Sequence, residues 1–416
     1  MRVARLQWLY PGLGVKRWVA LIVFGALVAV YALLVLLGAA ASDQLRSEFG
    51  LRWAGGHPLR SAALAAFFLV GGSLAMGYGL LRLFRFSQPA GGADEIRALA
   101  RLARGPRIVV LGGGSGLAAL LSGLKHHTAN LTAVVTVADD GGSSGRLRRE
   151  LGMLPPGDIR NCLVGLADDE SLMSRLFQYR FADGGLEGHS FGNLFVAALT
   201  GVTGDFEAAV QESTRILKVG GRVLPATLEN VVLHAELQGG ERVAGESTIT
   251  ASDHLPRRVW LEPDKPRAVP QALVAVAEAD LVVLGPGSVY TSIVPNLLIP
   301  EMREALRRMR GRVVYVCNVM TQPGETDGFS AADHLSALYR HGAAGLVDDV
   351  VVNDTPASPG IVAAYRAQGA QPVVTDVAAL AVLGVRVVHA DIAAEGDVFR
   401  HDPERLAAVL VRLARR

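Results

Sequence analysis

The sequence has little that would staple the chain, ligate a metal or bind a polyanion. Only two cysteines occur in 416 residues, Cys162 and Cys317, far apart and in no CxxC spacing. That excludes a disulfide framework and a zinc-thiolate site and fits a reducing compartment. Ten histidines are scattered without metal-ligand spacing. The net charge of +2 gives no sign of a nucleic-acid partner, and none is expected. No Ser-His-Asp, Cys-His or carboxylate-pair spacing stands out, so no catalytic nucleophile is designated. What is abundant is apolar. Half the residues are hydrophobic and mean hydropathy is +0.31, high for a protein wholly in water.

The apolar excess is concentrated at the start. Trp18 to Ala41 is an uncharged run rich in Leu, Val and Ala, and Ser61 to Leu81 is a second, richer in Gly. Both are long enough to cross a bilayer, and the first is too long for a signal-peptide core. Arg2, Arg5, Lys16 and Arg17 precede the first run, and Arg82 and Arg85 follow the second. The loop between them mixes Asp43 and Glu48 with Arg46, Arg52 and Arg60. The basic flanks predict both ends on the cytoplasmic side of a bacterial cell membrane. Residues 1–87 therefore read as a two-helix anchor, 88–106 as a linker with a short charged helix, and 107–416 as the globular part.

The globular part opens on a strand, a turn and a helix. Ile108 to Leu111 is apolar, Gly112, Gly113, Gly114, Ser115 and Gly116 form the turn, and Leu117, Leu120, Leu121 and Leu124 have helical spacing. Such a turn aims backbone N–H groups and a helix N-terminus at an anion, here a phosphate-bearing ligand and most simply a nucleotide derivative. No Gly-Lys-Ser/Thr follows, which excludes a P-loop. A second apolar run, Leu131 to Ala138, ends in Asp139, Asp140, Gly141, Gly142, Ser143, Ser144 and Gly145. Gly114-x-Gly116-x-x-Ala119 with Asp139 downstream also matches a dinucleotide fingerprint, which keeps an NAD-dependent oxidoreductase open.

Farther on, Pro155-Pro156-Gly157-Asp158 is expected to turn into a helix from Ile159 with Asp158 as its N-cap. Helices are expected at Ser171–Phe181, Phe191–Thr200 and Phe206–Leu217, the last two capped by Ser190 and Asp205. Val231–Leu237 and Arg242–Ile249, split by Gly239-Gly240, read as a β-hairpin inserted in the α/β rhythm. The rhythm resumes with a helix from Pro270 and apolar strands ending in Gly285-Pro286-Gly287-Ser288, Cys317-Asn318, Asn353-Asp354 and His389-Ala390-Asp391. Asp402-Pro403 opens a last helix. Polar residues thus recur where parallel strands end, the edge at which such sheets bind ligands. The expected fold is α/β: a Rossmann-like, mainly parallel sheet flanked by helices, with a β-hairpin insertion, preceded by two transmembrane helices.

The blocks GGGSGL, VTVADDGGSSGRLRRELGMLPPGDIRNCL, FQYRF, GHSFGNL, GPGSVYTSIVPNLL and CNVMTQPGET resemble, in order, the YvcK-type gluconeogenesis factors. These are relatives of 2-phospho-L-lactate transferase. The resemblance covers about residues 107–412 and implies a Rossmann-like domain that binds UDP-sugars, UDP-N-acetylglucosamine especially. It also implies a regulatory role in cell shape, peptidoglycan synthesis and growth on gluconeogenic carbon, with no reaction established; cell-wall synthesis proteins are the expected protein partners, and a homo-oligomer is left open. Two departures are visible: Ser115 stands where the family usually has Thr, and many members have no membrane spans.

On this reading Gly112 to Gly116 hold the diphosphate, with Ser115 Oγ as an added donor. Asp139 and Asp140 bind ribose or sugar hydroxyls, or a metal, or only cap the next helix. Ser143 and Ser144 donate to phosphate or sugar, and Asn161 and Asn193 read base or sugar amides. Arg160, His189, Gly285, Pro286, Gly287, Ser288 and Asn318 complete the expected site. Thr291, Ser292 and Asn296 are loop residues with either a binding or a structural use. Arg400 is added by the resemblance, which associates an arginine there with UDP-sugar binding. The transferase relatives supply the alternative, a Mg²⁺-dependent phospholactyl-type transfer with Asp139 or Asp140 on the metal. Those relatives carry Ser-Pro-Asp-x-Asp-Thr where this chain has Pro155-Pro156-Gly157-Asp158-Ile159-Arg160, so one acid and the Thr are missing.

Overall fold

The first apolar run forms helix α1 (Val15–Ala40) and the second forms α2 (Pro58–Ser87). The computed structural model describes residues 15–40, 58–87, 100–167, 172–396 and 398–415; the inter-helix loop and the start of the expected linker helix lie outside them. The chain divides into two units, Met1–Ala98 and Leu99–Arg416.

In the first unit α1 and α2 pack as an antiparallel pair. A Cβ at Gly25 would lie 2.6 Å from Gly72 O, and one at Gly72 the same distance from Gly25 O. Only glycines let two backbones approach so closely, the device membrane helices use where lipid gives no hydrophobic push. Trp18 and Tyr78 meet edge to face, and the Arg82 guanidinium lies 5.5 Å and 5.3 Å from their ring centroids. The outer faces are apolar and uncovered: Phe67 is 73% and Leu74 68% exposed. Each helix is long and apolar enough to cross a membrane.

The second unit is built on one seven-stranded parallel sheet. Its strands are β1 (Ile108–Gly112), β2 (Leu131–Val135), β3 (Arg222–Pro225), β7 (Leu281–Leu284), β8 (Arg312–Val316), β9 (Asp349–Asn353) and β10 (Arg386–Ala390). Their order is β10-β9-β8-β7-β1-β2-β3, every pair parallel. β1, β2 and β7 are buried throughout, which is why they read as unbroken apolar runs rather than alternating ones. The order reverses at β1, so chain leaves β1 and β7 toward opposite sides. That leaves a crevice beyond their C-terminal ends.

The helices follow the sequence closely. α3 (Gly114–Leu124) buries Leu117, Leu120, Leu121 and Leu124. α4 (Gly142–Leu151), α5 (Gly157–Leu166), α6 (Phe191–Thr203) and α7 (Phe206–Ile216) come next among the helices used below. Ser190 and Asp205 cap α6 and α7 through the N–H groups of Asn193 and Ala208. Asp402 caps the last helix, Pro403–Ala414, with Pro403 in its first turn.

Two expectations need correction. The insertion holds the expected hairpin, β4 (Val232–Leu237) and β5 (Arg242–Ala244), but a third strand, β6 (Pro256–Glu262), joins it in a three-stranded antiparallel sheet of order β5-β4-β6. The second strand stops at Ala244 because Asp140 takes the Ser247 N–H and hydroxyl, at 2.9 Å and 2.7 Å, and starts helix α8 (Glu246–Thr250). Asp158 is not an N-cap either. α5 begins at Gly157 with Pro156 in the cap position, and Asp158 lies inside the first turn with its carboxylate elsewhere.

Candidate active or binding site

The crevice between β1 and β7 is walled by two glycine-rich turns that touch. Gly114 has φ +72°, a conformation that suits glycine, and a Cβ there would meet only Ser292 Oγ, at 3.9 Å. Gly116 lies under the β7 turn, and a Cβ on it would come within 3.0 Å of Pro286 O. Asn318 at the end of β8 fixes that turn: its Nδ2 donates to Gly287 O at 2.9 Å, and its Oδ1 accepts from Gly287 N at 3.3 Å. Both ends of the amide are thereby used within the protein, so Asn318 positions the turn. Asn296 Nδ2 donates to Ser292 O at 2.8 Å from under the same turn.

A buried acid that sequence reasoning passed over organises the β7 side. Glu325 Oε1 accepts from the Tyr290 N–H at 2.8 Å, from the Thr291 N–H at 3.3 Å and from the Ser288 hydroxyl. Ser288 Oγ also lies 2.5 Å from Thr291 Oγ1, so its role is to close the turn. Burial holds the Glu325 carboxyl above the usual carboxylate range. The residue sits in the CNVMTQPGET block, and its sign in the sequence is an acid wedged between turn-forming residues.

Four carboxyls converge on the floor. Asp158 accepts hydrogen bonds from the Gly114 N–H and the Asn161 side chain. A Cβ on Gly113 would come within 2.4 Å of its Oδ2, so Asp158 lies directly against the first glycine turn. Desolvation and the neighbouring Asp139 raise its pKa to about 6. Asp139 accepts from Gly141 N at 2.9 Å and from the Ser144 hydroxyl, and burial raises its pKa as well. Glu246 on the insertion bonds to Thr291, and desolvation followed by Asp139, Asp158 and Asp140 raises it to about 7. Asp140 differs, since its carboxylate is engaged with α8. The two adjacent aspartates thus divide the work: Asp139 faces the crevice, and Asp140 clamps the insertion to it.

Two further groups adjoin this floor. Ser143 Oγ lies 2.9 Å from His189 Nδ1 and accepts from Asn193 Nδ2 at 3.1 Å. Asn193 Oδ1 is buried without a partner, a spare acceptor on the amide that bonds Ser143, the neighbour of Asp139's partner Ser144. Burial and nearby Arg146 keep His189 below its ordinary pKa, hence neutral. On the other side Ser115, Arg160, Asn161 and Gln178 line a groove of ≈ 480 Å³ along α3 and α5. Arg160 packs its stem over Gly192 and has an unpartnered, buried Nε. Arg400 stands apart on the short hairpin β11 (Ala393–Glu395) and β12 (Phe399–His401), exposed and without a partner among the described residues.

The structure therefore gathers Gly112, Gly113, Gly114, Ser115, Gly116, Asp139, Ser143, Ser144, Arg160, Asn161, His189, Asn193 and the Gly285–Ser288 turn around one sheet edge. Three acids that the sequence does not assign to the site lie among them: Asp158, expected only as an N-cap, Glu246 and Glu325. Among the described residues no three acids, histidines or cysteines stand in metal-ligand geometry.

The profile of the family described as 2-phospho-L-lactate transferase CofD matches residues 108–393. The chain belongs to the CofD family. Within it, the chain is 49% identical over 310 residues to the gluconeogenesis factor of Bacillus subtilis (strain 168), covering 74% of this chain and 98% of that one. A relative from Nostoc sp. (strain PCC 7120), named after the same factor, is 45% identical over 420 residues, covering 98% of this chain and 92% of its own. The Bacillus relative has no counterpart to a quarter of this chain, whereas the Nostoc relative matches nearly all of it. The crystal structure of a UPF0052 family member from Bacillus halodurans superposes with a TM-score of 0.71 at 46% identity, over 73% of this chain and 98% of that one. A CofD-family member of the gluconeogenesis-factor type thus carries two additional apolar helices.

Proposed function

We propose that this CofD-family protein binds a nucleoside-diphosphate sugar, UDP-N-acetylglucosamine, as a regulator tied to cell-wall synthesis and to growth on gluconeogenic carbon. The observation that carries the reading is the pair of touching glycine turns over the β1–β7 crevice, with open space beside Gly114 at the start of α3. The first turn of a helix leaves N–H groups without intrahelical partners, which suits a diphosphate. Asn193 Oδ1 and the groove beside Ser115 and Asn161 offer the acceptors and donors that sugar and base require.

Calorimetric titration of the full chain in detergent with UDP-N-acetylglucosamine tests the reading. One-to-one saturable binding, with UDP alone binding more weakly, is the expected result. Tighter binding of NAD, or no binding of any uridine nucleotide, would overturn it.

Convergence of Asp139, Asp158 and Glu246 favours a second reading, Mg²⁺-dependent transfer from a nucleoside-diphosphate-activated donor. The cation would sit against these acids, which as they stand form no three-ligand set among the described residues, and it would neutralise diphosphate charge. Asp140 would not serve, being committed to α8.

On this proposal the two apolar helices tether the chain to a cell membrane, and the basic flanks keep its globular part cytoplasmic. Full-length protein is then expected to stay with membranes through high salt and carbonate and to leave them only in detergent. Release by carbonate alone would contradict the anchor.

A further inference from the structure

A cavity of ≈ 600 Å³ lies away from the glycine turns, where β6 of the insertion faces Tyr290 and the segment after the helix Ala331–Leu338. Its wall carries three guanidiniums, Arg257, Arg258 and Arg340, against one carboxylate, Glu236. Glu236 is already engaged, 3.5 Å from Arg257 and 3.8 Å from Arg242. Among the described residues the Arg258 side chain has no hydrogen bond or ion pair, and the one side-chain hydrogen bond of Arg340 is a long one, 3.4 Å to the Tyr290 hydroxyl. His341, also on the wall, adds no charge. Its Nδ1–H donates to Ala337 O at 2.7 Å and its Nε2 accepts the Val259 N–H at 3.0 Å, which fixes a neutral ring. Two arginines that no carboxylate neutralises, Arg258 without a side-chain partner and Arg340 on one long bond, therefore share a recess with Phe329.

We propose that this recess is a second anion site, taking a small phosphorylated metabolite whose phosphate is held by Arg258 and Arg340. Arginine forks onto two phosphate oxygens at once, and a pair of them matches the charge of a phosphate monoester. The positive charge is set in a cavity of small-molecule size rather than along an open stripe, which selects a metabolite over a nucleic acid. Phe329 gives its carbon body a surface.

The recess is also wired to the crevice, a consequence that rests on the nucleotide reading above. Tyr290 meets Arg340 through its hydroxyl, while its N–H donates to Glu325, the carboxyl that closes the Ser288–Thr291 turn. An anion that draws Arg340 off Tyr290 changes what holds one wall of the crevice. β6 and α8, which carries Glu246, belong to the same insertion. The recess is thus placed to act as an effector site.

The test uses the full chain in detergent with inorganic pyrophosphate as probe. Phenylglyoxal labelling, mapped by mass spectrometry, is expected to slow at least fivefold at Arg258 and Arg340 when pyrophosphate is present. Exposed Arg267 serves as the internal control and should not change. In parallel, the Arg258→Ala/Arg340→Ala protein should lose at least tenfold in pyrophosphate affinity by calorimetry. Unchanged labelling of both arginines at saturating pyrophosphate would overturn the proposal, as would protection that appears only with UDP-N-acetylglucosamine. Protection by pyrophosphate in a protein that binds no uridine nucleotide would keep the second site and overturn the nucleotide reading instead.

Discussion

Replacing Gly114 by valine should abolish UDP-N-acetylglucosamine binding, by about 100-fold or more, in a chain that still folds. The position separates ligand space from protein space. A Cβ at Gly114 meets only Ser292 Oγ, at 3.9 Å, so the protein itself has room for a methyl. The cost to folding is conformational, since φ +72° disfavours any L side chain by about 1–2 kcal/mol and a β-branched one more. Valine would also fill the space through which a diphosphate reaches the first turn of α3, and 100-fold in affinity corresponds to about 2.7 kcal/mol. Gly114→Ala gives the graded control, with a loss of roughly tenfold, about 1.4 kcal/mol. Circular dichroism with calorimetry on the wild type and both variants is the measurement. Wild-type affinity in a folded Gly114→Val protein would remove the crevice from the ligand's path.

That experiment also shows where the sequence stops being informative. The strand–turn–helix at Ile108 to Leu124 was legible because buried parallel strands are solidly apolar and α3 repeats leucine at helical spacing. Which glycine does what was not. Gly145 looks like Gly114 in the sequence, yet a Cβ on it would fall 1.8 Å from Asp140 O, so it serves packing, not ligand space. Ser190, Asp205 and Asp402 are legible as caps, because in each one side chain meets an N–H three residues on. At Asp158 the same local rule failed, because the carboxylate bonds to Gly114, 44 positions earlier in the chain. Glu246 and Glu325 escaped for that reason too. Their partners, Thr291 for one and Ser288 to Thr291 for the other, come from distant strand ends, and no periodicity encodes such a meeting. Asp139 and Asp140 were seen as a pair, but only the fold shows that the insertion takes one of them.

Asp158→Asn separates a metal-free regulator from a Mg²⁺-dependent enzyme by the sign of its effect. Asp158 bonds to the Gly114 N–H, and burial with Asp139 nearby raises its pKa to about 6; Glu246 across the floor is raised to about 7. Above pH 7 both carboxyls are mainly ionised, and without a cation they repel a bound diphosphate. As pH falls from 8 through these two values each takes up a proton, one negative charge after another disappears, and affinity rises. Like charges several ångströms apart in a partly screened crevice repel by about 1–2 kcal/mol, which is roughly tenfold over that interval. Asparagine keeps an acceptor for the Gly114 N–H and the Asn161 side chain while carrying no charge. The substitution should therefore raise UDP-N-acetylglucosamine affinity about five- to tenfold at pH 8 in EDTA, and leave only the Glu246 step in the pH profile. In a Mg²⁺-dependent site both signs reverse. Asp158 must then be ionised to hold the cation, so affinity falls as pH drops below 7, chelation weakens the wild type, and Asp158→Asn costs affinity at pH 8 with Mg²⁺ present. Titrations of the wild type and Asp158→Asn at pH 5.5, 6.5 and 8, each in Mg²⁺ and in EDTA, measure both signs. A gain at pH 8 that Mg²⁺ does not alter supports the regulator. A loss of more than tenfold, restored to neither protein by lowering the pH, would transfer the crevice to phospholactyl-type transfer.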